Sequence, residues 1–192
     1  MVTKANEQAL EVCIDKALTG TCREDQKQAK NIATTPEPIW GPHAGYEAGH
    51  PQDFDCEFAI DKEKFWRFLK KTQARELKKL KDRPNWQRLL LERLNCKIQK
   101  EGTIKVLKSG LSIDDAHFTL LYSLPFNDIN PKVAERFEDN IFSVTRQVHY
   151  SQKETMLSID MVLFINGLAI ATIELKNAWT SQTTFHACKQ YR

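Results

Sequence analysis

The stretch whose reading decides the fold is SIDMVLFINGLAIATIELKN, Ser158 to Asn177. Leu157 to Ile165 is β-rich and apolar except at Ser158 and Asp160, and Leu168 to Lys176 is apolar until Glu174 and Lys176. Asn166-Gly167 between them is a strong hairpin signal, because both residue types tolerate the backbone of a tight turn. Asp160 and Glu174 therefore sit in runs that otherwise look like buried sheet. A carboxylate there is costly unless it is paired, hydrogen-bonded or bound to a cation. Two carboxylates and a lysine converging at one end of a hairpin would make a hard-metal site. Oxygens would hold Mg²⁺, and the ammonium of Lys176 would stand beside metal-bound water and a phosphate. The plainer alternative is a salt bridge between Lys176 and one of the acids. The spacing D-x13-E-x-K across a hairpin favours the metal, since the chain offers no other nucleophile or cofactor motif.

Register sharpens this reading. Glu174 and Lys176 share a face because strand side chains alternate with period 2. A plain two-residue turn pairs 165 with 168 and hence 160 with 173, which points Asp160 away from Glu174. An odd-length loop or a bulge, with Gly167 left-handed, puts 160, 172, 174 and 176 on one face. The site thus predicts an odd loop or a bulge, and a clean two-residue turn without a bulge would count heavily against it.

Outward from the hairpin, Ile141 to Tyr150 reads as a further strand, and Asn130-Pro131 opens a short helix to about Glu138. A final helix is expected from Ser181. Towards the N-terminus, Asn6 to Leu18 reads as a helix with Leu10, Ile14, Ala17 and Leu18 on one face. Thr34 to Asp55 is loop, rich in proline and glycine. Asp61 to Lys81 and Trp86 to Gln99 are helical, while Ile104 to Leu107 and His117 to Leu124 look like strands.

Charge is unevenly spread. The net +3 hides 16 Lys/Arg against 5 Asp/Glu between Lys62 and Lys108, and 12 against 20 elsewhere. Such a block is the footprint of a chain that meets polyanions, or else a solvated helical face. No run approaches the roughly 20 apolar residues of a membrane span, and the start lacks a secretory layout. Five cysteines without a CxxC pair fit reduced thiols in a cytoplasm better than disulfides or zinc.

The run Ser158 to Asn177 resembles the nuclease motif of type I restriction enzyme R subunits, members of the PD-(D/E)xK superfamily. RQVHYS (Arg146 to Ser151) and ACKQYR (Ala187 to Arg192) belong to the same pattern, as do, more loosely, GYEAGHPQDFD (Gly45 to Asp55) and GTIKVLKSG (Gly102 to Gly110). The resemblance implies an α+β fold, a mixed sheet flanked by helices in αβββαβ order. Here it would be one endonuclease domain over 1–192, with a basic helical insertion at about 61–101 and a sheet incomplete at the C-terminus. It implies Asp160 and Glu174 as Mg²⁺-binding acids and Lys176 as the catalytic lysine. It also implies an acid on the first helix facing the metal, Glu11 first and Glu7 second. Relatives carry Q-x-x-x-Y on the helix after E-x-K. Tyr191 fits the tyrosine, but Ala187 stands at the glutamine position, with Gln190 as a neighbour able to do related work. Arg146, His149 and Tyr150 are candidate phosphate neighbours. In the intact family enzyme, ATP-driven translocation delivers double-stranded DNA, and methylation and specificity subunits choose the target. No GxxxxGK[ST] loop is present, so the motor is expected to be absent here. Two alternatives stay open: a non-cutting fragment that only binds DNA or docks subunits, and an RNA-binding helical domain over 61–101.

Overall fold

A computed structural model describes residues 7–21, 45–124, 130–151, 153–154 and 156–175. The chain is α+β. It divides into two compact units, one built from residues 1–51, 143–163 and 171–192, the other from 52–142 and 164–170. Helices α1 (Glu7–Thr19), α2 (Lys62–Thr72), α3 (Ala74–Leu80), α4 (Trp86–Glu101), α5 (Thr103–Ser109) and α6 (Pro131–Glu138) are joined by strands β1 (Tyr46–Ala48), β2 (Phe54–Asp55), β3 (Ile60–Asp61), β4 (Leu111–Ile113), β5 (Ala116–Phe118), β6 (Phe142–His149), β7 (Ser158–Ile165) and β8 (Leu168–Ile173). Hydrogen bonding orders six strands as β1-β6-β7-β8-β3-β2, with β4-β5 as a separate antiparallel pair.

In the helical unit, Phe65, Phe68, Leu69, Leu77, Leu80, Leu90, Leu94 and Leu107 recur at helical spacing and are buried together, while most of the lysines between them face solvent. The expected helix over 61–81 is broken at Gln73, where α2 ends and α3 begins. Gln73 is buried, and its amide stands in for a neighbouring strand. Nε2 donates to Thr119 O at 2.7 Å, and Oε1 accepts from Thr119 N at 2.7 Å. Ile104 to Leu107, expected as a strand, is α5 instead. Gly102 and Gly110 bracket it with positive φ, and Val106 and Leu107 on one side are buried while Ile104 is exposed. Of the expected strand at 117–124 only His117 and Phe118 pair, within β5, with β4.

Asp55, in the Gly45–Asp55 stretch, holds the entry to β3. Burial pushes its carboxyl up. Lys62, 3.1 Å away, and the amides of Glu57 and Phe58 outweigh that and hold it below the ordinary carboxylate range. Asp61 then caps α2 by accepting from Lys64 N at 3.0 Å.

The Asn166-Gly167 hairpin forms where expected, but its loop is not odd. Asn166 has φ 50° and Gly167 φ 81°, the left-handed pair of a two-residue type I′ turn, which corrects the odd-loop expectation. Asn166 is buried because its amide serves neighbouring backbone. Oδ1 accepts from Ile141 N at 2.7 Å, and Nδ2 donates to Leu120 O at 2.8 Å and to Asn140 Oδ1 at 3.0 Å. Alternation is lost further along β8, where Ala171 and Thr172 are both exposed. With the register unbroken, Leu175 would share a face with Ser158 and Asp160, yet it is buried in one cluster with Met161 and Val144. Turn parity alone therefore does not decide on which side Glu174 emerges.

Candidate active site: buried acids gathered by β6

The site belongs wholly to the unit containing α1, β6 and β7. Helix α1 forms as expected, but the face it buries is different. Leu10 is 48% exposed and Ala17 is also exposed, whereas Glu11 and Asp15 are each 3% exposed; Ile14 and Leu18 pack beside them on Val144 and Met161. An i, i+4 pair of acids lies on the inward side of this helix. Burial of both is tolerated because Arg146, itself 8% exposed, meets them. Its Nε is 3.1 Å from Glu11 Oε2, and Nη1 is 3.5 Å from Asp15 Oδ2. Arg146, expected as a phosphate neighbour, is thus an internal counter-cation.

Gln147 follows and reaches the same acid. Its Nε2 donates to Glu11 Oε1 at 2.8 Å and to Asp160 Oδ1 at 3.4 Å, while Ser158 Oγ donates to Gln147 Oε1 at 2.9 Å. Consecutive side chains of a regular strand point to opposite faces. Arg146 and Gln147 can meet one carboxylate because Gln147 has φ 52°, a break in mid-strand that re-aims its side chain.

Asp160 completes the cluster. Its Oδ2 accepts from Leu175 N at 2.7 Å, so the carboxylate rests against the peptide joining Glu174 to Leu175. The structure therefore brings Glu11 and Asp160 to one amide nitrogen and sets Asp160 against the backbone that follows Glu174. Lys176, Gln190 and Tyr191 lie outside the described residues. Glu7 is half-buried at the start of α1, and His149 is exposed at the end of β6. No group of three or more His, Cys, Asp and Glu able to hold a metal ion is formed among the described residues. Sequence reading missed Asp15, Gln147 and the hydroxyl of Ser158. Only the placement of two polar residues in an apolar run pointed to Ser158, and nothing local pointed to Gln147.

Residues 40–192 match the family described as type I restriction enzyme R protein N terminus (HSDR_N). The chain belongs to this family. Arg146, Gln147, Ser158, Asp160 and Glu174 fall inside the matched span of this R-protein N terminus, and Glu11 and Asp15 precede it. No curated protein and no solved structure matches the chain.

The helical unit of this R-protein N terminus carries the basic block on its outside. Lys70, Arg75, Lys78, Lys81, Arg93 and Lys100 are exposed, and none of them pairs with a carboxylate among the described residues. Others are internally compensated, as Arg88 is by Glu57 and Glu92, both at 2.8 Å. No helix among the described residues is long and apolar enough to cross a membrane.

Proposed function

We propose that this chain is the DNA-cleaving part of a type I restriction R subunit, hydrolysing phosphodiesters of double-stranded DNA with Mg²⁺. The observation that carries the reading is the convergence of Glu11 and Asp160 on Gln147 Nε2, with Asp160 held against the Glu174–Leu175 peptide. Hard carboxylate oxygens suit Mg²⁺. This ion takes one or two protein carboxylates and completes its shell with water and substrate phosphate rather than with an all-protein cage. Two acids at one point therefore fit it without a third. Asp160 and Glu11 would hold the ion, with Glu174 beside them. An ion bound there would supply phosphate polarisation and a more acidic bound water. Lys176 would steady the charge that develops on the phosphate. ATP-driven delivery of DNA, and target choice by methylation and specificity subunits, would belong to the assembled enzyme, so this unit need not read bases.

Nicking of supercoiled plasmid tests the assignment. The chain should convert plasmid to open circle with Mg²⁺, and Asp160→Ala should lose at least about tenfold of that rate. Equal nicking by both forms assigns the activity to contamination. No nicking by either leaves DNA binding or docking as the role of this chain.

The unpaired cations of the helical unit would meet DNA phosphates. Duplex affinity should then fall steeply with salt, by about 0.9 log units per log unit of salt for each phosphate neutralised. Substituting Lys70, Lys78 and Arg93 by Gln should flatten that slope by about one for each phosphate no longer neutralised. An unchanged slope would place DNA elsewhere on the molecule.

A further inference from the structure

We propose that Gln147 is the positioning residue of the acid site, tying Glu11 of α1 to Asp160 of β7 and setting the spacing at which the two offer oxygens to a divalent cation. The inference rests on the metal-dependent reading above and adds a role that the acids do not explain.

The backbone speaks first. Gln147 holds φ 52° inside a strand, a conformation that costs a non-glycine residue about 1–3 kcal/mol and that Asn, Asp or Gly would adopt more cheaply. A glutamine at this position is explained by its side chain, which has three polar neighbours. Ser158 Oγ donates to Oε1 at 2.9 Å and so fixes which end of the amide is which. The NH₂ end is thereby turned on Glu11 Oε1 and Asp160 Oδ1.

Charge speaks second. Glu11, Asp15 and Asp160 are three carboxylates linked through the cation of Arg146 and the neutral amide of Gln147. A second cationic side chain at position 147 would neutralise the acids further. A neutral amide holds them together without adding a positive charge of its own. Arg146 keeps Glu11 in place from one oxygen, and Gln147 aligns the other oxygen with Asp160.

The test is a calorimetric titration of the chain with Mn²⁺, without DNA, together with thermal melts. Wild type should bind Mn²⁺, and Asp160→Ala should not. Gln147→Met keeps length without the amide, and Gln147→Gly relieves the backbone and deletes the side chain. Both should weaken Mn²⁺ about tenfold or more, the usual scale for partners that orient metal-binding carboxylates. Gln147→Gly should melt no lower than wild type, separating positioning from stability. Gln147→Met binding Mn²⁺ as tightly as wild type, while Asp160→Ala fails to bind, would overturn the role of Gln147 and leave the metal reading intact. A wild-type chain that binds no Mn²⁺, or binds it as well with Asp160→Ala, overturns both.

Discussion

Arg146→Met should lower the stability of the unit containing α1 by about 3–5 kcal/mol, the scale for removing one partner of a buried ion pair. Three side chains are involved. Arg146 is 8% exposed, and Glu11 and Asp15 are 3% exposed, with N–O distances of 3.1 and 3.5 Å. Methionine replaces the aliphatic stem but not the guanidinium, so two carboxylates remain inside without their counter-charge. In a melt the loss should read as about 10 °C. The physical cause can be isolated by adding Glu11→Gln and Asp15→Asn to Arg146→Met. Neutral amides need no counter-cation, so the triple variant should recover more than half of what the single one loses. If Arg146→Met melts with wild type, the acids are solvated in the native protein and the cluster is not the sealed arrangement described. If the single variant is destabilised and the triple one is no better, lost packing of the arginine stem explains the effect.

This cluster also shows why part of the site was legible in the sequence and part was not. Asp160 stood out because a local rule was broken: an acid in an otherwise apolar β run needs a reason. Glu11 and Asp15 broke no local rule. On α1 they look like exposed helix acids, and period-based reading placed Leu10 inwards. The partner that pulls them inside, Arg146, lies 135 residues beyond Glu11, and pairing at that distance leaves no trace in a window of hydrophobic periodicity. Gln147 is further out of reach, because a left-handed backbone at a glutamine has no compositional signal. The hairpin fared the other way. Asn166-Gly167 is legible as a turn, since its chemistry is local, whereas odd parity follows only from what the site requires. The molecule uses the even turn that Asn-Gly favours, and departs from regular alternation at Gln147 in β6 and after Ile170 in β8. Likewise Ile104 to Leu107, expected as strand, is helix, set by the burial of Val106 and Leu107 between two glycines.

The turn itself gives the second large effect. Gly167→Ala should destabilise the helical unit by about 3 kcal/mol or more, from two separable causes. At φ 81° any side chain is strained, at a cost of about 1–2 kcal/mol. A Cβ there would also lie 2.5 Å from Asp61 O, 2.6 Å from Phe65 N and 2.7 Å from Phe65 Cβ. Two of these are backbone atoms and the third is fixed to the backbone, so no rotamer change can clear them, and the remainder comes as overpacking. The approach is close because Gly167 O accepts from Asp61 N at 2.9 Å while Leu168 pairs with Ile60, seating the turn on the first residues of α2. Gly102 supplies the control. It has nearly the same φ, 83°, but a Cβ added there would meet nothing within 4 Å. Gly102 has ψ 150°, a backbone region that essentially only glycine adopts, so Gly102→Ala should cost backbone strain at least as large as that at Gly167 but no overpacking, and any loss at Gly167 beyond it reports the close approach. A Gly167→Ala loss of no more than about 2 kcal/mol, the backbone strain alone, would mean that the hairpin turn is not packed against Asp61 and Phe65. The seat of β8 on β3 would then have to be redrawn.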